Sequence, residues 1–310
     1  MSELIRRFGT LLTTVAILLT AFWLLFLVIF PYLGLFEQSF RPYLPVDEIG
    51  GPNDFYSVNN YLSMFHNPTE INLLGLTFSV PIHLWVFFIT ILYSSITALA
   101  ALLLCYPLAY YMAKVIPPKS LPTFLLLLVI PMWVSELLRA FAWFIILAFN
   151  GPLTIVLQDL HIITDPVRWV NGLGGYSGVV IGLVYAYILF MLFPVYNSMS
   201  SLDTNQLEAA EDLGARWWQT HWRVVVPHCK PGIASGSVTV FMLAAGSILV
   251  PTLVGSTRSR WFTEIIQQWM FESQDWNTGA AYAFVLLIVC TIFVTLMMRF
   301  FKVGLADIAK

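Results

Sequence analysis

Six apolar stretches divide the chain, at residues 8–36, 84–113, 121–149, 176–199, 233–254 and 279–301. An α-helix needs about 20 apolar residues to cross the hydrocarbon core of a bilayer. The pattern therefore predicts an all-α membrane protein with six transmembrane helices in a single transmembrane domain over 1–310. The first stretch follows Arg6-Arg7. It is far longer than the roughly 7–15-residue apolar region of a signal peptide and lacks a small-x-small cleavage site, so it reads as an uncleaved first helix. Pro107, Pro131, Pro194 and Pro251 lie inside these stretches or near their ends. Kinks there are tolerated because neighbouring helices satisfy the freed carbonyls. The stretch 121–149 is read as one span rather than a re-entrant pair.

The polar segments between the spans differ in character. Residues 37–83 form the longest, with Pro42, Pro45, Gly50, Gly51 and Pro52 breaking any regular element; a loop of that length is where a delivery protein can dock. Residues 151–163 and 261–271 look amphipathic and are expected along the outer interface, with Trp261 and Trp269 as interfacial anchors. Residues 200–232 form a water-facing loop with helical logic. Asp203 can accept hydrogen bonds from the first free amides of a helix, Gln206 stands at the capping-box position, and Gly214 falls where a helix ends in a left-handed residue. A second short helix from Ala215 to about Val225 is expected to stop at Pro227.

Composition supports the membrane reading. Hydrophobic residues make up 59% of the chain and charged residues only 10%, too few charges for an ordinary soluble surface. Bilayer lipid is thus the expected surroundings. A net charge of −2 gives no reason to expect nucleic acid. Cys105, Cys229 and Cys290 supply no disulfide framework. The five histidines show no metal spacing, and no nucleophile–base arrangement can be read, so no enzyme site is expected.

Orientation follows from the basic residues. With the N-terminus in the cytosol, Arg6, Arg7, Lys114, Lys119, Arg216, Arg223, Lys230, Arg299, Lys302 and Lys310 fall inside, and Arg41, Arg168, Arg258 and Arg260 outside. That distribution agrees with the positive-inside tendency and places the 200–232 loop in the cytosol. The outside segments are acidic, among them Glu37, Asp47, Glu48, Asp54, Asp159 and Glu264. Either translocated loops merely lack basic residues, or an acidic vestibule concentrates a cationic solute.

Within the membrane, Glu136 and Arg139 are three residues apart on the third span and share a helix face. Intramembrane charges face a protein interior or a watery path. Two readings stay open: the two pair with each other or a neighbouring subunit and hold helices together, or Glu136 lines a solute path with Trp133 and Trp143 as apolar or cation–π walls.

The 200–232 loop carries a recognisable pattern in Glu208-Ala209-Ala210, then Gly214, then Val224, Val226 and Pro227. It resembles the EAA loop of permease subunits in ABC importers, with valines where that family usually has Ile and Leu. The resemblance implies a coupling helix that docks into a groove on a cytosolic ATPase. Small Ala209 and Ala210 would permit close approach, Gly214 would supply the bend, and Glu208 would pair with a partner's base. Three further runs, Pro131 to Trp143, Ile181-Gly182-Leu183-Val184-Tyr185 leading to Phe193-Pro194-Val195-Tyr196, and Gln274 to Ala281, look like the spermidine/putrescine class of these permeases, from about the second helix to the end.

Such a resemblance implies the six-helix type I (MetI-like) importer fold in the bacterial inner membrane. It also implies a second homologous permease, two cytosolic ATPase subunits and a periplasmic solute-binding protein. The chain has no Gly-x4-Gly-Lys-Ser/Thr loop, so ATP and Mg are expected on the partner ATPase, with no cofactor here. Glu136 departs from the small or polar residue the class would place there, and Ser247 stands where some relatives carry an acid. A permease for another small solute therefore stays an alternative. An ion-coupled secondary transporter is a more remote one, since no inverted repeat of broken helices is visible.

Overall fold

The computed structural model describes residues 6, 9–66, 68–73, 76–167, 169–170, 176–256, 259–302 and 304. Arg7, Phe8, Arg168, Arg258 and Lys310, used above, lie outside the described residues. The chain forms two compact units, one from Met1–Ile82 and Ile266–Leu286, the other from His83–Ile265 and Leu287–Lys310.

The first unit begins with helix α1 (Thr10–Ser39), almost all of whose side chains are exposed. The chain then turns back, and polar groups hold the turn. Asn60 Nδ2 donates to the carbonyls of Ser39 at 2.9 Å and Arg41 at 2.8 Å, and Asn277 Nδ2 donates to Arg41 at 3.0 Å. The Arg41 guanidinium bonds Glu37 at 2.6 Å and Asp54 at 3.0 Å, and stands 5.2 Å over the Tyr56 ring. Residues 37–83 do contain regular structure, against expectation: an antiparallel hairpin of β1 (Pro68–Leu73) and β2 (Leu76–Pro81), with Pro68 opposite Pro81. Glu70-Ile71-Asn72-Leu73 and Leu76-Thr77-Phe78-Ser79-Val80 alternate polar and apolar residues, which suits a strand.

Past the hairpin run α2 (Ile82–Val115), α3 (Leu121–Trp133), α4 (Glu136–Ile146), α5 (Pro152–Asp159), α6 (Tyr176–Ser200), α7 (Thr204–Asp212), α8 (Trp217–Thr220), α9 (Val226–Ala245), α10 (Leu249–Val254), α11 (Phe262–Gln267) and α12 (Trp276–Phe301). Among the described residues, α1, α2, α6 and α12 are each long and apolar enough to cross a membrane, and α3 with α4 makes a fifth if the bent pair is one span. The remaining predicted span corresponds to α9, which is less apolar because His228, Lys230, Pro231 and Gly232 occupy its first turns.

Two predicted spans are not continuous. The 121–149 stretch bends by 89° between α3 and α4. Pro131 removes a backbone donor there, Val134 is extended, and Ser135 starts a new helix by accepting from Leu138 N at 3.3 Å. The 233–254 stretch breaks at Gly246–Ile248. In an unbroken helix the Pro251 ring would clash with the carbonyl of Ser247; instead that carbonyl accepts from Thr263 Oγ1 at 2.6 Å. Trp261, expected as an interfacial anchor, is fully buried, and its Nε1 donates to the Ala244 carbonyl at 3.1 Å near the same break. Trp269 is half-buried, its ring 6.4 Å from that of Tyr282.

The second unit is centred on α6 and α9, which approach closely. A Cβ at Gly232 would lie 2.4 Å from the Pro194 carbonyl oxygen, and one at Gly236 would lie 2.8 Å from Met191 Sδ. Small residues four apart let two membrane helices pack backbone to backbone. Replacing Gly236 with valine should cost about 1–3 kcal/mol through overpacking, read as a fall of several degrees in the melting temperature of the purified protein in detergent. Gly34→Ala, whose added methyl meets nothing within 4 Å, should leave it unchanged.

Candidate functional site

Between α6 and α9 the chain leaves the helical core as a rigid polar hairpin. Helix α7 is capped by Asp203, whose Oδ1 accepts from Asn205 N at 3.0 Å. It ends in a Schellman turn: Ala215 N donates to Ala210 O at 3.0 Å and Gly214 N to Glu211 O at 2.8 Å. Gly214 has φ +75°, a left-handed conformation that favours glycine. Helix α8 opens with Arg216 N donating to the Gln219 side chain at 2.9 Å.

The expected stop at Pro227 does not occur. A π turn over His221–Val225 joins α8 to α9. Pro227 sits in the first turn of α9, where a proline's missing N–H costs least.

Glu208, Ala209 and Pro227 are exposed and Ala210 is half-buried. Val224 and Val226 are half-buried, while Val225 between them is fully buried. Large apolar side chains also project from the hairpin, with Leu213 89% and Trp217 72% exposed, and Trp218 and Trp222 beside them. Exposed apolar side chains gathered on one element mark a surface that meets another protein or the membrane interface.

The second polar site lies where the two broken spans meet α6. Glu136, in the first turn of α4, accepts a hydrogen bond from Tyr187 Oη at 3.1 Å. Ser247, in the break between α9 and α10, is buried and lies next to the Tyr187 hydroxyl. Arg139 is half-buried with its Nε unpartnered. Among the described residues the direct ion pairs are those of Arg41, so Glu136 and Arg139 are not in salt-bridge contact with each other.

The structure thus brings Glu136, Arg139 and Ser247 together around Tyr187. It does not bring in the tryptophans: Trp133 is exposed on the far side of the bend, and the Trp143 ring packs 5.2 Å from that of Tyr185. Tyr187 was not singled out from the sequence. Its signal there is a phenol in mid-span, which needs a polar partner when buried.

At the base of the hairpin, His221 is buried. Its Nδ1 lies 2.8 Å from Tyr106 Oη, its ring is 4.2 Å from Trp217 and 4.6 Å from Tyr110, and Nε2 has no partner. Burial lowers the imidazole pKa from its ordinary 6.5.

Comparison with known proteins supplies the family: residues 106–304 match the binding-protein-dependent transport system inner membrane component family, to which this chain belongs. The chain is 32% identical over 290 residues to the spermidine/putrescine transport system permease protein PotB of Haemophilus influenzae, covering 92% of each. It is 33% identical over 267 residues to PotB of Escherichia coli, covering 86% of this chain and 90% of that one. The fold is similar to that of a chain in the crystal structure of a bacterial alginate ABC transporter in complex with alginate pentasaccharide-bound periplasmic protein, with TM-score 0.66, 17% identity and coverage of 98% and 99%. The protein is therefore a multi-pass ABC permease subunit of the inner membrane, of the class its sequence resembles, and a transport component rather than an enzyme.

The lowered His221 pKa sets the sign of a pH effect. The folded state binds this proton less tightly than the unfolded state, so the contribution is fully present above the ordinary value and is lost as pH falls through the folded value. Melting temperature measured from about pH 8 to pH 5 should decline on the acid side, and His221→Gln should flatten that decline. A wild-type profile indistinguishable from that of the variant would contradict this.

Proposed function

We propose that this chain forms part of the translocation path of an importer for polyamines such as spermidine and putrescine. It works with a second homologous permease, two ATPase subunits that bind ATP and Mg, and a periplasmic solute-binding protein. Its termini and the 200–232 hairpin face the cytosol, as the distribution of basic residues favours.

One observation carries the substrate reading: Glu136 is a carboxylate within a membrane-spanning segment held by a neutral phenol at 3.1 Å and, among the described residues, in salt-bridge contact with no cation. A carboxylate already paired with arginine could bind an ammonium group only by breaking that pair, at considerable cost. Glu136 can instead receive a primary or secondary ammonium as a charge-assisted hydrogen bond, while Tyr187 orients it and the Ser247 hydroxyl offers an acceptor. The PotB relatives carry spermidine/putrescine transport in their names, and that agreement supports the choice of cation.

The chain itself carries out no covalent chemistry. ATP bound between the partner ATPases supplies the closing force. Glu208, Ala209, Ala210, Gly214, Val224, Val226 and Pro227 belong to the hairpin that receives it, and the helices around Tyr187 switch access.

Uptake of labelled putrescine and spermidine at low external concentration, with the gene intact, deleted, or carrying Glu136→Gln, tests the substrate. Deletion should abolish uptake and Glu136→Gln should reduce it at least ~10-fold, the scale of one charged hydrogen bond. Polyamine uptake that survives deletion would refute the substrate while leaving the permease assignment intact. Coupling is tested separately. Glu208→Ala combined with Gly214→Pro should abolish uptake while the permease bundle still assembles in the membrane; retained uptake would refute the hairpin's role.

A further inference from the structure

The hairpin continues directly from α6 and into α9, so those two helices receive its motion through the backbone. A third helix is attached by side chains alone, and at two points. Tyr106 Oη of α2 lies 2.8 Å from His221 Nδ1, on the limb of the hairpin that returns to the core. Lys114, two turns further along α2, donates to the carbonyl of Leu202, on the limb that leaves α6. The ammonium there also complements the negative end of the α6 dipole. Tyr110, between the two, packs its ring 4.6 Å from the imidazole.

These contacts leave the exposed face of the hairpin untouched. A single contact would let the hairpin pivot against α2. Two contacts, on opposite limbs and separated by about 12 Å along the helix at ~1.5 Å per residue, remove that freedom.

We infer that α2 is a driven element of this permease: the Tyr106–His221 and Lys114–Leu202 bonds carry displacement of the hairpin into α2. Tyr106, Lys114 and His221 are positioning residues for coupling. They act through the hairpin and contact neither solute nor nucleotide. The inference rests on the reading of the hairpin as the coupling element, and goes beyond it by naming the helix to which force is delivered and the bonds that deliver it.

The test uses the complete importer in proteoliposomes, with its partner permease, ATPases and binding protein, and measures solute uptake and ATP hydrolysis together. Tyr106→Phe keeps the ring and removes the hydroxyl, and Lys114→Met keeps the stem and removes the ammonium. Each should lower solute moved per ATP hydrolysed by ~3–10-fold, the scale of one buried hydrogen bond, with the hydrolysis rate within about twofold of wild type. Lys114→Arg should restore the ratio.

An unchanged ratio would overturn the inference. So would parallel losses of uptake and hydrolysis, the signature of a merely structural role. Glu208→Arg, run alongside, separates the two ideas. If it abolishes uptake while the α2 variants keep the wild-type ratio, the hairpin couples but α2 is not its target. If it changes neither uptake nor hydrolysis, the coupling reading itself fails.

Discussion

A broken helix inside a membrane leaves amides and carbonyls that lipid cannot satisfy, and that constraint organises the second unit of this protein. At each break the freed groups find partners in the protein. Ser135 Oγ takes an amide at the start of α4, Thr263 Oγ1 serves the Ser247 carbonyl, and Trp261 Nε1 serves the Ala244 carbonyl. Phe262 N, next to that tryptophan, is held by Thr90 Oγ1 at 2.9 Å. The segment around Trp261 is therefore an internal plug that makes a break in α9–α10 affordable, and its burial follows from that duty. The polar pocket around Tyr187 arises as a consequence: where backbone must be solvated by protein, polar side chains collect, and Glu136 and Ser247 are among them.

How far the sequence discloses this depends on the range over which each signal acts. The conformation of the 200–232 hairpin was legible because its determinants are local. Asp203 caps, Gly214 reverses the chain, and Glu208, Ala209 and Ala210 lie on one short helix. The fate of Pro227 was not, because a proline reads as a stop only when the preceding helix hydrogen-bonds in the usual register, and a π turn puts Pro227 where its missing donor is harmless. The bend at 134–135 was misjudged similarly. Apolar length reports that a segment suits a membrane but not that it stays straight, and Pro131 with Ser135 decides the matter over five residues.

Tertiary partnerships were the least accessible. Tyr187 with Glu136, 51 residues apart, and Tyr106 with His221, 115 apart, are visible only when α2, α4 and α6 are placed beside one another. Glu136 and Arg139 are a case that the sequence leaves open between a mutual pair and a solute path. Their spacing permits a pair, yet the helix start and the phenol of Tyr187 offer the carboxylate a different partner. The hairpin of β1 and β2 was hidden by the prolines and glycines that precede it, although its alternation was in plain view.

The continuity of α8, the π turn and α9 has a mechanical consequence. From Trp217 to Ala245 the chain is one helical rod, roughly 40 Å long at ~1.5 Å per residue, with exposed tryptophans at one end and the Ser247 break at the other. Such a rod joins the tryptophans to the break by continuous helical backbone, with Pro231 and the π turn as the places where it can bend. The wider turn at His221–Val225 is the one section wound differently, and it is also where α2 takes hold through Tyr106. A change that loosened that winding would alter two attachments at once, the one through α9 to the Ser247 break and the one through Tyr106 to α2, without touching the exposed tryptophans or Glu136.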